Sequence, residues 1–131
     1  MPLNDGCVKV IKSYIDSYMN NDHRLMNKIL ADGATLKLSR GETLLIQPKK
    51  SIVDFMHESG KMTQDCDAKY EVLSNSTALV VARVDFDYKN ATQHTYLIIE
   101  KDADKEWKIT QVCKIINDKE ELPASNQLTK N

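Results

Sequence analysis

At 131 residues the chain fits one ordinary domain and leaves no room for two independent cores. Its 41% hydrophobic and 28% charged residues match a soluble globular domain and exclude disorder of the whole chain. The 18 basic and 19 acidic residues are interspersed, for a net charge of −1, which disfavours nucleic acid and anionic membranes as partners.

Val8, Ile11, Tyr14, Ile15, Tyr18 and Met19 recur at three- and four-residue steps, which predicts a first amphipathic helix over residues 8–19. Asn20-Asn21-Asp22 interrupts it. Asp22 is placed to cap a short second helix with Leu25, Met26, Ile29 and Leu30 inward, ended by the turn Ala31-Asp32-Gly33. Alternation over residues 34–38 and the run 43–46, either side of Ser39-Arg40-Gly41-Glu42, predict a hairpin. Pro48 suits the first turn of a third helix carrying Ile52, Phe55 and Met56 on one face, with Gly60 as its C-terminal cap.

Four strands follow, over residues 67–73, 78–88, 95–101 and 107–116, joined by short polar turns that imply antiparallel pairing. Residues 118–131 are polar and contain Pro123, so the domain is expected to span 1–117 and the remainder to form a mobile tail. The order helix, helix, hairpin, helix, four strands is an α+β layout, with helices on one side of a strongly bent sheet.

Some of these strands are apolar on both faces. Val80, Val84 and Phe86 oppose Leu79 and Val81, and Leu97 and Ile99 oppose Tyr96 and Ile98. Such a sheet needs two covers, and a second protomer is the economical source of the one the helices do not supply. A homodimer through the sheet is therefore expected, with Leu79, Val81, Leu97 and Ile99 as parity-defined candidates for its interface.

The N-terminus lacks a basic start followed by an apolar run, and no stretch approaches the length needed to span a bilayer, so the reading is a soluble, cytoplasmic chain with no membrane partner. Cys7, Cys66 and Cys113 are an odd count at wide spacing, as expected of free thiols. Without a secretion signal, the sequons at Asn75 and Asn90 read as loop asparagines.

Tyr14 through Ala34, including Tyr18, Asp22, Leu30 and Gly33-Ala34-Thr35, resembles the opening of nuclear transport factor 2-like domains such as ketosteroid isomerases and polyketide cyclases. Tyr96-Leu97 with Glu106-Trp107-Lys108-Ile109 is similar to the ending pattern of a bacterial lumazine-binding-like family within that superfamily, though Thr95 stands where those proteins often carry aspartate. The resemblance spans about residues 8–116 and rests on the whole element order. It implies a cone-shaped, curved antiparallel sheet of the cystatin-like kind, a pocket between helices and sheet, and frequent homodimers. By the same resemblance Tyr14 occupies the place of the isomerase's oxyanion-binding tyrosine, and Leu38 stands where the isomerase has its general base. A leucine cannot accept a proton, so ketosteroid isomerase activity is not expected.

The expected ligand is a small apolar or amphipathic molecule, with Tyr14, Tyr18, Leu38, Phe55, Tyr96, Trp107 and Gln111 as candidate lining. Tyr14 and Tyr18 share a helix face. Two readings are open for them: hydroxyls facing a cavity, or packing residues whose hydroxyls reach backbone carbonyls. Gln111 shares strand parity with Trp107 and Ile109, which turns it inward unless a bulge breaks the parity and sends it to solvent. Asp85 and Asp87 alternate with Arg83 and read as an interface-rim charge ladder before an acid–base pair. His23, His57 and His94 have no partner at metal-ligand spacing, so neither a metal nor a cofactor is expected. The alternatives are an acid–base enzyme of the cyclase, isomerase or dehydratase type in the same pocket, and a protein-interaction module using the outer sheet face.

Overall fold

The computed structural model describes residues 5–119. Three helices, α1 (Asp5–Met19), α2 (His23–Ile29) and α3 (Lys49–Ser59), accompany six strands: β1 (Leu30–Arg40), β2 (Thr43–Pro48), β3 (Asp67–Asn75), β4 (Leu79–Asp87), β5 (Ala91–Lys101) and β6 (Trp107–Asp118). The strands form one curved sheet in the order β2-β1-β6-β5-β4-β3. All neighbours are antiparallel except β1 and β6, which run parallel. The expected α+β architecture is the one observed.

The α1–α2 corner shows how short polar residues place the helices. Asn21 takes a left-handed φ of 51°, which asparagine tolerates better than most residues, and its side-chain amide donates to the Met56 and Gly60 carbonyls at 2.8 and 2.7 Å. That clasp ties the start of α2 to the end of α3. Asp22 caps α2 as expected, accepting from the Leu25 amide at 3.1 Å. Gly60 ends α3 at φ 73°, a conformation that costs a residue with a Cβ far more than it costs glycine.

Buried Cys7, Ile11 and Tyr14 of α1 and Met26 and Ile29 of α2 pack on the inner face of the sheet. That face is built from Val80, Ala82, Val84 and Phe86 of β4, Thr95, Leu97 and Ile99 of β5, Ile109 and Val112 of β6, and Leu36 of β1. Replacing Ile11 or Leu97 by alanine would each cost about 2–5 kcal/mol, since both are fully enclosed.

Four expectations need correction. Ala31-Asp32-Gly33 is not a turn: β1 starts at Leu30 and runs through it, absorbing the irregularity as a register shift against β6 between Leu30 and Thr35. β5 starts at Ala91, so His94 lies within the strand. Residue 118 belongs to β6, where Asp118 pairs with Arg40; residues 120–131 of the expected tail lie outside the described residues. Finally, Leu97 and Ile99 are core residues. Val80 pairs with Ile99 and Ala82 with Leu97, so the outer apolar set is Leu79, Val81, Tyr96 and Ile98.

Candidate functional site

A cavity of about 370 Å³ opens between the three helices and the β2-β1-β6 end of the sheet. Its walls are mainly apolar: Leu36 and Leu38 of β1, Ile52 and Met56 of α3, and Val112 of β6. Leu45, Phe55 and Met62 line it while remaining well exposed, so they form its mouth. The volume falls within the usual range for small-molecule sites.

Tyr14 closes the inner wall. Its residue is 1% exposed and its hydroxyl has no hydrogen-bond partner among the described residues. Burial pushes its pKa far up, Tyr18 adds to this, and the nearby Thr95 opposes it without reaching hydrogen-bond geometry. A buried unpaired hydroxyl costs about 1–3 kcal/mol, so a ligand acceptor here would relieve a standing penalty.

Tyr18 stands one turn further along α1. Its ring packs on Phe86 with centroids 4.2 Å apart, and its hydroxyl hydrogen-bonds Tyr88, whose own hydroxyl donates to the Gln64 side-chain oxygen at 2.7 Å. The Tyr18 hydroxyl is therefore engaged by side chains rather than by a backbone carbonyl. Its pKa is raised, chiefly by burial.

The group that sequence reasoning missed is Lys114. It lies on β6 between Leu38 of β1 and Thr95 of β5, and its ammonium sits 4.7 Å from the centroid of the Tyr18 ring. Burial brings that ammonium down to about 8. Among the described residues it is the one charged side chain on the cavity wall.

One bulge explains this miss and decides the open reading of Gln111 against the cavity. Ile98 pairs with Gln111 but Ile99 with Ile109, so Thr110 is the extra residue on β6. Beyond it the inward positions are Val112, Lys114 and Ile116, and Gln111 turns to the outer face, where its amide reaches the Cys113 sulfur at 3.4 Å. Cys113 is half-buried on that outer face and not in the core. The available signal was a lysine two residues after Val112, with Cys113, Ile115 and Ile116 around it.

Of the other candidates, Tyr14, Tyr18, Leu38 and Phe55 line the cavity together, and Tyr96 and Trp107 do not. Tyr96 pairs with Arg83 on the outer face. Trp107 lies in a cleft between α1, α2 and the start of β6, beneath Lys101. That cleft, about 570 Å³, is larger than the cavity but carries five lysines among its lining residues. A third hollow, beside Arg40 and Tyr88, has its arginine already paired with Asp118.

On the outer face Asp85 is buried beneath two partners, His94 Nδ1 at 2.7 Å and Arg83 Nε at 3.2 Å, with Glu71 on the other side of Arg83. Asp87 pairs with Lys119. His23 and His57, far apart in sequence, stack at 4.4 Å between centroids. No group of three or more metal-ligating side chains is found among the described residues.

No family model and no curated protein matches this chain. Solved structures do. An NTF-2-like protein of unknown function from Silicibacter pomeroyi superposes with a TM-score of 0.69 at 13% identity, over 87% of this chain and 93% of that one. A cystatin-like fold protein from Burkholderia xenovorans gives 0.67 at 10% identity, over 85% and 88%. A ketosteroid isomerase-like protein from Erwinia carotovora atroseptica gives 0.61 at 13% identity, over 82% and 91%. The fold is thus that of the NTF2-like, cystatin-like proteins; at these identities the likeness carries the fold and leaves the activity open.

Proposed function

We propose that this chain is a small-molecule-binding domain that holds a mainly apolar ligand in the cavity between its helices and the β2-β1-β6 end of the sheet. The observation that carries this reading is the cavity itself: an apolar hollow of about 370 Å³ lined in part by Tyr14, whose buried hydroxyl has no partner among the described residues. Four residues singled out from the sequence line it.

The test is calorimetric titration with octanol as a generic apolar probe, against the native chain and a Val112→Trp variant that fills the cavity. Binding to the native chain, lost in the variant while its fold is retained by circular dichroism, is the expected result. No binding to either chain would overturn the reading.

A second reading, acid–base chemistry in the same cavity, is favoured by Lys114, whose pKa of about 8 lets it exchange protons near neutral pH. We also propose a homodimer through the outer face of the sheet. Val81 lies opposite Ile98 there, and Leu79 and Ile115 add exposed apolar surface.

A further inference from the structure

Lys114 is anomalous in its surroundings. Its side chain lines an apolar cavity, burial desolvates its ammonium, and among the described residues no carboxylate pairs with it and no acceptor bonds it. The Tyr18 ring face is its one electrostatic support. With a pKa of about 8 it still carries its proton in roughly nine of ten molecules near neutral pH, so the cavity holds a cation to which the described residues offer no counter-ion. A buried unpaired charge is costly, and bringing in its counter-ion relieves that cost.

We propose that the ligand of this cavity is an amphipathic organic anion, with its apolar body against Leu36, Leu38, Ile52 and Val112 and a carboxylate on the Lys114 ammonium. This rests on the ligand-binding reading above and adds the charge of the ligand's head. A single ammonium suits a singly charged carboxylate better than a phosphate dianion, which would draw on several cations. The charge-assisted hydrogen bond forms in a setting of low dielectric, where it is stronger than in water. A neutral amphipath leaves the cation unpaired, and a cationic one is repelled by it.

The other groups facing Lys114 leave it the sole switch near neutral pH. Tyr14 and Tyr18 of α1 are both pushed upward and stay protonated there. Its strand neighbours are Leu38 and Thr95, and the α2, α3 and β2 walls present Met26, Ile52, Met56, Leu45 and Gln47, none of them charged. Arg40, two residues along β1 from Leu38, is held by Asp118.

The experiment compares octanoate, octanol and octylammonium by calorimetry on the native chain, from about pH 7 to about pH 10, a range over which the octanoate carboxylate stays ionised. At the lower pH octanoate is expected to bind about tenfold more tightly than octanol, and octylammonium most weakly. That preference should fade as pH rises past the Lys114 pKa, with its midpoint above 8 because the bound anion holds the proton. Lys114→Met should lose the preference and keep octanol binding, and Lys114→Arg should retain it. If octanol binds as well as octanoate at every pH, the anion assignment is wrong and the ligand-binding reading stands; if none of the three binds, both fall. The pH series on the native chain decides the matter even if a Lys114 variant fails to fold.

Discussion

Gln111 on β6 lies opposite Ile98 on β5, whereas Ile109, two residues earlier, lies opposite Ile99. β6 therefore advances two residues while β5 advances one, and every side chain after Thr110 changes face. The cavity acquires Lys114 by this step and loses Gln111.

The bulge makes a prediction about ligand binding. Gln111→Leu should leave octanol affinity within about twofold of the native value, because the side chain lies across the sheet from the cavity. A tenfold loss in calorimetry would mean that Gln111 faces the ligand and that the register is different in solution.

Lys114 links stability to pH. Its folded pKa of about 8 lies below the 10.5 of an unperturbed lysine, so the unfolded chain binds more protons between these two values. The penalty is fully present below pH 8 and is relieved as pH rises through the interval. Lys114→Met should accordingly stabilise the protein at neutral pH by on the order of 1–2 kcal/mol, an advantage that shrinks as pH rises from about 8 to about 10.5. Urea melts of both chains across that range measure it. A constant difference would show that Lys114 is not desolvated.

The native chain is expected not to isomerise a Δ5-ketosteroid: by its resemblance to the isomerases Leu38, which lines the cavity, stands in place of their carboxylate base, a group that contributes about 10²–10⁴-fold. Leu38→Asp would place a carboxylate beside Lys114 on the adjacent strand and raise the lysine above its value of about 8. The NMR titration of the lysine reads the second effect whether or not turnover appears. Native activity abolished by Tyr14→Phe would require a different base in the site.

A homodimer of twice the 14.9 kDa chain mass is expected in light scattering at micromolar concentration. Ile98→Glu, opposite Val81 on the outer face, should shift it to monomer without changing the helical signal. A native chain that stays monomeric would leave the outer apolar side chains without a cover and defeat the proposal.

All three cysteines are free, so thiol titration of the denatured, unreduced chain should report each of them. In the folded chain Cys7 should lag far behind, since it is fully enclosed and burial pushes it up to about 11. Reaction of Cys7 as fast as Cys66 would show that α1 opens readily.

Local chemistry was legible in the sequence. The apolar spacing of α1, the Asp22 cap and the Gly60 terminator depend on residues within a few positions of one another and appear where the pattern puts them, whereas β3 runs on through Asn75 and β5 starts four residues early. Tyr14, Tyr18 and Phe55 could be placed by counting along uninterrupted helices, and Leu38 by the resemblance to the isomerases; all four line the cavity. Only the tertiary structure decided the rest. The parallel pairing of β1 with β6 joins residues some eighty positions apart, and the bulge at Thr110 is a property of how β6 fits β5. Because side chains alternate at every residue of a strand, one unpaired residue inverts all that follow, and alternation cannot report that residue when both faces of the strand are apolar.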